Sequence, residues 1–242
     1  MKYYTSDIHF FHPGLCEARG FGSLEEMNEA MVKKLAFLKR DDDLYILGDI
    51  AYGYTLEHDL DEVVSLLKRI GCRKHLVVGN HDAWALKHLR GMDGFRRQFR
   101  SIEEHMLLTD GGSDLYLSHY PMVEWDGYYK GRWLFYGHIH DRPTSGPGLL
   151  MGLVPTAVNV GIDLLGRPMT AEEIMAERKK GWRAEEICLA NVILPKVDPS
   201  LLNGKKGITS ELQQFAGIRI LQEGQGPDPL SCPEKTKALD MA

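Results

Sequence analysis

One repeated device constrains this chain more than any other feature. Five short apolar runs each end in a small cluster of Asp, Asn or His. Lys2–Ile8 runs into Asp7-Ile8-His9, Leu44–Leu47 into Gly48-Asp49, and Lys74–Val78 into Gly79-Asn80-His81-Asp82. Asp114–Ser118 runs into Ser118-His119, and Arg132–Tyr136 into Gly137-His138-Ile139-His140. Runs of this length predict buried strands, and ligands of open α/β sheets gather at strand carboxyl ends. In D-x-H and H-x-H the side chains are two apart, a spacing that puts both on one face of an extended chain. Glycine before Asp49, Asn80 and His138 allows a sharp turn and leaves room for a ligand.

Helical periodicity fills the gaps between strands, which makes the chain α/β. Leu24, Met27, Met31, Leu35 and Leu38 repeat at helical spacing, with Ser23 and Glu26 as a capping box. Leu56, Leu60, Val63, Val64, Leu67 and Ile70 mark a second helix, with Thr55 as its N-cap. A third opens at Thr170, with Glu173 as box partner, and ends near Gly181. Thr156–Val160 and Ile187–Leu194 read as further strands. Residues 1–195 are therefore expected to form one domain. Residues 196–242, with Gly and Pro clustered at 224–229, are expected to form an extension with one short helix around Ser210–Phe215 and a mobile end.

Composition narrows the setting. The 29 Lys+Arg against 34 Asp+Glu give a formal charge of −5, which argues against indiscriminate nucleic-acid binding but leaves room for a local basic groove. The four cysteines form no C-x-x-C pair, so a disulfide scaffold or cysteine zinc knuckle is not expected. Pro143–Ile162 carries no charge, yet its three prolines and four glycines read as a loop leading into a strand, not a membrane span. The first residues offer no signal-peptide apolar segment, and the expectation is a soluble, cytoplasmic protein without a membrane partner.

Two Asp, one Asn and four His make a mixed oxygen and nitrogen donor set, suited to Mn, Fe, Zn, Ni or Co rather than Ca or Mg. Seven donors exceed one centre with open positions, and two metals sharing one carboxylate accommodate them all. His81 is left over in the same cluster and free to move protons. His58, His75, His88 and His105 fall outside the pattern and are expected in ordinary core or surface positions.

In this order the residues resemble the pattern of the calcineurin-like metallophosphoesterases: D-x-H, G-D, G-N-H-[D/E], a later H, then G-H-x-H. The resemblance spans roughly residues 1–180. It implies an αββα sandwich of two mixed β-sheets flanked by helices, with a dimetal site at the strand ends. By the same resemblance Asp7, His9 and His140 hold one metal, Asn80, His119 and His138 the other, and Asp49 bridges. It further implies attack by a metal-bridging hydroxide, with manganese favoured and His81 as general acid. The local wording of Ser6–His12, of Tyr120-Pro121-Met122 with Trp125, Gly127 and Gly131, and of Asn159–Asp163 is similar to a small prokaryotic and phage branch known mainly as phosphoesterases.

Departures from the family's protein phosphatases are informative. Tyr52 stands where they carry the aspartate that partners the catalytic histidine, and their phosphate-holding arginine is missing. Asp82 is then the expected orienter of His81. Asn80, Arg19, His12 and Arg142 are the candidate substrate contacts, with Lys130 and Arg132 behind them. The expected substrate is a phosphodiester, with nucleotides or nucleic-acid ends favoured if Phe10, Phe11, Phe21, Trp125, Tyr128 and Tyr129 stack on bases instead of packing under loops. Phosphomonoester or nucleotide pyrophosphate hydrolysis is the alternative activity, and a non-catalytic scaffold the alternative class.

Overall fold

The structure, a computed structural model, describes residues 1–52, 57–88, 92–142 and 145–181. Strands β1 (Lys2–Thr5), β2 (Asp43–Leu47), β3 (Arg73–Val77) and β4 (Ser101–Glu103) form one sheet in that order, parallel throughout. Strands β5 (His105–Asp110), β6 (Ser113–Ser118), β7 (Trp133–Tyr136) and β8 (Ala157–Asn159) form the second. There β5 and β6 are an antiparallel hairpin turning at Gly111-Gly112, and β7 and β8 add in parallel. The two expected sheets flanked by helices are present, and the mixed direction belongs to the second alone.

Alternation along the strands builds the layers. Leu44, Ile46 and Leu76 face outward from the first sheet onto helices α2 (Leu24–Leu35) and α3 (Glu57–Lys68), which supply Met31, Leu35, Val63 and Leu67. The opposite faces of the same strands carry Tyr4, Leu47 and Val77, which meet Leu115, Leu117, Trp133 and Phe135 of the second sheet. The remaining face of that sheet, with Tyr116, Leu134, Tyr136 and Ala157, packs under Trp125 and Met151. Burying each such Leu, Ile or Phe stabilises the fold by about 1.5–3 kcal/mol.

Helix starts follow the capping signals. Ser23 Oγ accepts from the Glu26 amide at 3.1 Å, while Glu26 reaches back to the Gly22 amide at 2.9 Å. The Thr170–Glu173 box closes both ways at 3.3 and 2.9 Å and opens α8 (Ala171–Gly181). The shorter helices are α1 (Pro13–Ala18), α4 (Asn80–His88), α5 (Asp93–Arg96), α6 (Gly146–Gly152) and α7 (Ile162–Leu165).

Three readings from sequence change. The segment entering β8 is not all loop: Ser145 caps α6, accepting from the Gly148 amide at 3.1 Å, and Pro147 sits in the first turn, where it starts a helix instead of breaking one. β1 stops at Thr5, three residues early, because Asp7 and His9 leave extended backbone. The edge strands β4 and β5 had no clear signal, one being three residues long and the other half exposed along its length. Thr55, the 187–194 strand and the 210–215 helix lie outside the described residues. No helix among the described residues is long and apolar enough to cross a membrane.

Candidate metal centre

Asp7, Asp49 and Asn80 follow β1, β2 and β3, while His119, His138 and His140 follow β6 and β7, so both sheets contribute to one rim. Their convergence comes from backbone strain, not from strand pleat. Asp7, His9, Asp49, His138 and His140 all have positive φ, between 48° and 72°; among the described residues Phe11 is the only other non-glycine residue that does. Such conformations cost about 1 kcal/mol or more each and persist only where neighbours enforce them. For Asp7, His9 and Asp49 the enforcement is a ladder between two loops: Asp7 N–H donates to Gly48 O at 3.1 Å, His9 N–H to Asp49 O at 3.0 Å and Phe10 N–H to Ile50 O at 2.9 Å.

The glycines before the ligands act mainly by lacking a side chain. Only Gly48 has positive φ, at 86°. A Cβ at Gly79 would run into the Asp49 carboxylate and amide, and one at Gly137 into Ser6 Oγ and the Asp7 carboxylate.

Three overlapping groups of donors result, each with its atoms within 4.8 Å of one another: Asp7, His9 and His140; His9, Asp49 and His81; Asp49, His119 and His138. Asp49 Oδ2 lies between the outer two, 3.6 Å from His9 Nε2 and 3.4 Å from His119 Nε2. Asn80 joins the second side, its Oδ1 3.0 Å from His119 Nε2.

These residues fit divalent metals on two counts. His9 is buried with neither ring nitrogen hydrogen-bonded, the kind of orphaned polar atom that native interiors avoid. His119 Nδ1 sits 2.8 Å from Leu47 O, which makes it the donor and leaves Nε2 as a lone pair facing Asp49 and Asn80 oxygens. Electron-pair donors that converge in this way call for a cation among them.

The electrostatics agree. Burial alone would push the Asp7 carboxyl up, but His9, His119, the Ser6 hydroxyl at 2.6 Å and His140 hold it below the ordinary carboxylate range. Asp49 is likewise pushed up by burial but brought down to about 2 by His119, His9 and the His81 amide. Burial lowers the His119 imidazole, and Asp49 and Asp7 more than reverse it, so it titrates above its ordinary value.

The other expected site residues fall into place differently. The His81 amide donates to Asp49 Oδ1 at 3.0 Å, and its half-buried ring lies 5.1 Å from that of His9. Asp82 is fully buried and accepts from the amides of Asp49 (2.7 Å), Ile50 (3.2 Å) and Gly79 (3.1 Å), which gives it the task of pinning two ligand loops. His12 lies beside the rim, its ring 5.2 Å from His9 and 4.1 Å from Tyr52, and its Nδ1 caps α1 by accepting from the Leu15 amide. Burial, with His9 and His81 nearby, lowers the His12 pKa to about 4 and keeps the ring neutral.

Arg19 turns away from the role of open substrate contact. Its guanidinium holds Asp163 at 2.7 and 3.0 Å and donates to Ile8 O and Asp7 O at 2.8 and 2.9 Å. Arg142 is exposed beyond His140. Arg132 pairs with Asp126, away from the rim. Of the aromatics offered for base stacking, Phe10 and Trp125 are buried, Phe11 and Phe21 pack on the first core, and Tyr128 packs on the third; Tyr129 is open, 83% exposed. His75 pairs with Asp43 and Ser101, and His105 stacks on Tyr116, both as ordinary structural residues. The side chains of His58 and His88 lie outside the described residues.

Sequence reasoning missed a supporting tier. Asp163 Oδ2 lies 3.4 Å from His140 Nδ1, and Asn159 Nδ2 donates to His140 O at 3.1 Å. A carboxylate on Nδ1 fixes the tautomer and frees Nε2 to ligate. Tyr52 and Tyr120 are exposed on opposite flanks, Tyr52 near His12 and His81, Tyr120 against His119 and His138. The Asn159–Asp163 and Tyr120-Pro121-Met122 stretches were visible as motifs, but nothing in their spacing gave those residues a task.

Two layered sheets with His, Asp and Asn converging on one rim define the class, an α/β protein with a candidate metal site at its strand ends. The chain belongs to the calcineurin-like phosphoesterase family, which it matches over residues 3–142, and it is a metallophosphoesterase acting on phosphoester bonds. It is 29% identical over 198 residues to the Gene 66 protein of Mycobacterium phage L5, covering 71% of this chain and 91% of that one. An uncharacterized protein of Methanocaldococcus jannaschii is 26% identical over 188 residues, covering 74% and 92%. In fold it is similar to a protein of unknown function from Aquifex aeolicus, with TM-score 0.56 and 22% identity over 73% of this chain and 98% of that one.

Proposed function

We propose that the protein is a phosphodiesterase working with two divalent metals, manganese first among them. Asp7, His9 and His140 would hold one, Asn80, His119 and His138 the other, with Asp49 shared between them. Such ions supply Lewis acidity toward phosphoryl oxygens and lower the pKa of water. The strained, hydrogen-bonded loops keep the donors fixed, so little reorganisation accompanies reaction. His81, tethered through its amide to Asp49, would give its proton to the departing alkoxide, a role worth roughly 10²–10⁴-fold.

The observation that supports a diester is that, among the described residues, neutral side chains line the rim beside His81. Tyr52 and His12 stand there, and Arg19 is held by Asp163. A monoester phosphate carries roughly −1.5 to −2 charge at neutral pH and calls for added cations; a diester carries only one negative charge. The test compares bis-nitrophenyl phosphate with nitrophenyl phosphate in manganese. The diester should have at least tenfold the kcat/KM; equal or reversed values would overturn the preference. His81→Ala should keep its metals and lose far more rate on an alkyl diester than on the nitrophenyl diester, whose leaving group departs without a proton. Equal losses would remove His81 as the acid.

A further inference from the structure

The carboxyl ends of the parallel strands carry the metal rim, and their amino ends carry a different chemistry. The segments entering β2, β3 and β4 line a pocket of about 530 Å3 with Arg40, Arg73, Lys74, Arg97 and Arg100, against one lining carboxylate, Asp41. β2 and β3 are five residues long, so this pocket lies about 17 Å, one strand's length, from the metal rim.

Two of these cations already have partners. Arg73 forks onto Asp43 with both bonds at 2.7 Å, and the buried Lys74 ammonium donates to Ile70 O at 2.7 Å and Cys72 O at 3.2 Å. Arg40, Arg97 and Arg100 are exposed, and among the described residues their guanidiniums have no carboxylate or carbonyl partner. Elsewhere Arg19, Arg69, Arg132 and Arg167 each pair with an Asp or Glu and Arg96 and Arg178 reach carbonyls, so that among the other described arginines Arg142 alone is likewise unpartnered. Three unpaired guanidiniums in one recess create a local positive field in a chain of net charge −5.

The backbone that carries Arg97 and Arg100 is anchored. Arg100 N–H donates to Lys74 O at 2.7 Å, Arg97 N–H to Asp93 O at 3.0 Å, and Phe99 packs its ring 5.1 Å from that of buried Phe95. Guanidinium forks match phosphate oxygens in pairs, and several on ordered backbone select for linked phosphates.

We propose that this pocket is a second anion site, separate from the metal centre, for a ligand with two or more linked phosphates: the chain of a nucleotide polyphosphate or the backbone of a nucleic-acid strand. Full-length protein and an Arg40→Gln, Arg97→Gln, Arg100→Gln variant are titrated with a methylene-bridged triphosphate and with a 12-nucleotide phosphorothioate strand. The variant should bind the preferred probe at least fivefold more weakly, while hydrolysing bis-nitrophenyl phosphate within twofold of the parent. If the strand is preferred, its plot of log K against log salt should flatten by about 2, three contacts at about 0.7 each. If the triphosphate is preferred, the ligand is a nucleotide polyphosphate. Less than fivefold weakening, or no binding by the parent protein, overturns the proposal. Should the triple variant fail to fold, Arg97→Glu alone must weaken the preferred probe at least threefold, and a smaller change overturns it.

Discussion

Removing the Asp82 carboxylate should loosen the ligand rim without touching a ligand. Its Oδ2 accepts from the Asp49 and Gly79 amides, and its Oδ1 from the Ile50 amide. In Asp82→Ala those three donors lose their acceptor inside the protein, at about 1–3 kcal/mol each. Part of that is offset: burial, then repulsion from Asp49, pushes the Asp82 pKa up, so deleting the charge relieves some strain. The net loss should be about 3–5 kcal/mol. Asp82→Asn keeps one oxygen for two amides and turns its NH2 toward the Ile50 N–H. One unsatisfied donor costs about 1–2 kcal/mol. For a domain of this size each kcal/mol lowers Tm by about 2–4 °C. Urea denaturation and Tm give the ranking, and manganese titration should follow it, since Asp49 and Asn80 ride on the pinned loops. An alanine variant within 1 kcal/mol of the parent, with unchanged metal affinity, would refute the pinning role; so would asparagine proving worse than alanine.

Gly137→Ala should force a Cβ into Ser6 and the Asp7 carboxylate, destabilise by about 1–3 kcal/mol and lower metal content, as elemental analysis would show. Asp49→Asn should weaken both metals together and His9→Ala chiefly one; two tightly held ions in the Asp49 variant would remove its shared role. The Arg73 fork, against burial and with help from His75, holds the Asp43 pKa down to about 2. That folded value lies below the unfolded one near 3.9, so the pair's contribution is complete above about pH 5 and disappears as pH falls through 2. With both side chains partly exposed it is worth about 1 kcal/mol, and Asp43→Asn should flatten the stability profile between pH 5 and 2 by that amount.

Local chemistry is what a sequence displays most directly. The apolar runs located six strands to within a residue or two at most ends, because buried strands need contiguous apolar residues whatever surrounds them. The Ser23 and Thr170 boxes located two helix starts, since a cap is satisfied by residues three apart. The clusters at the strand ends named the donors that, among the described residues, come together at one rim. Glycine before three of them was legible too, although its reason was not: at Gly79 and Gly137 the need is space for a carboxylate arriving from another loop.

What only the tertiary structure decided are the tasks set by distant partners. Arg19 looks like an open cation until Asp163, 144 residues away, takes its fork. Asp82 looks like a partner for its neighbour His81 until the amides of Asp49 and Ile50 claim it. The left-handed backbone at Asp7, His9, Asp49, His138 and His140 cannot be read from residue types that tolerate it better than most but still adopt it only uncommonly. At Asp7, His9 and Asp49 it exists because two strand-end loops hydrogen-bond to each other across the sheet, and at His138 the amide is held by the Asp7 carboxylate. Long-range contacts of that kind outweigh a local preference of about 1 kcal/mol per residue. The unpaired arginines at the opposite end come from two segments, those entering β2 and β4, which meet across the start of β3 only because parallel strands start side by side.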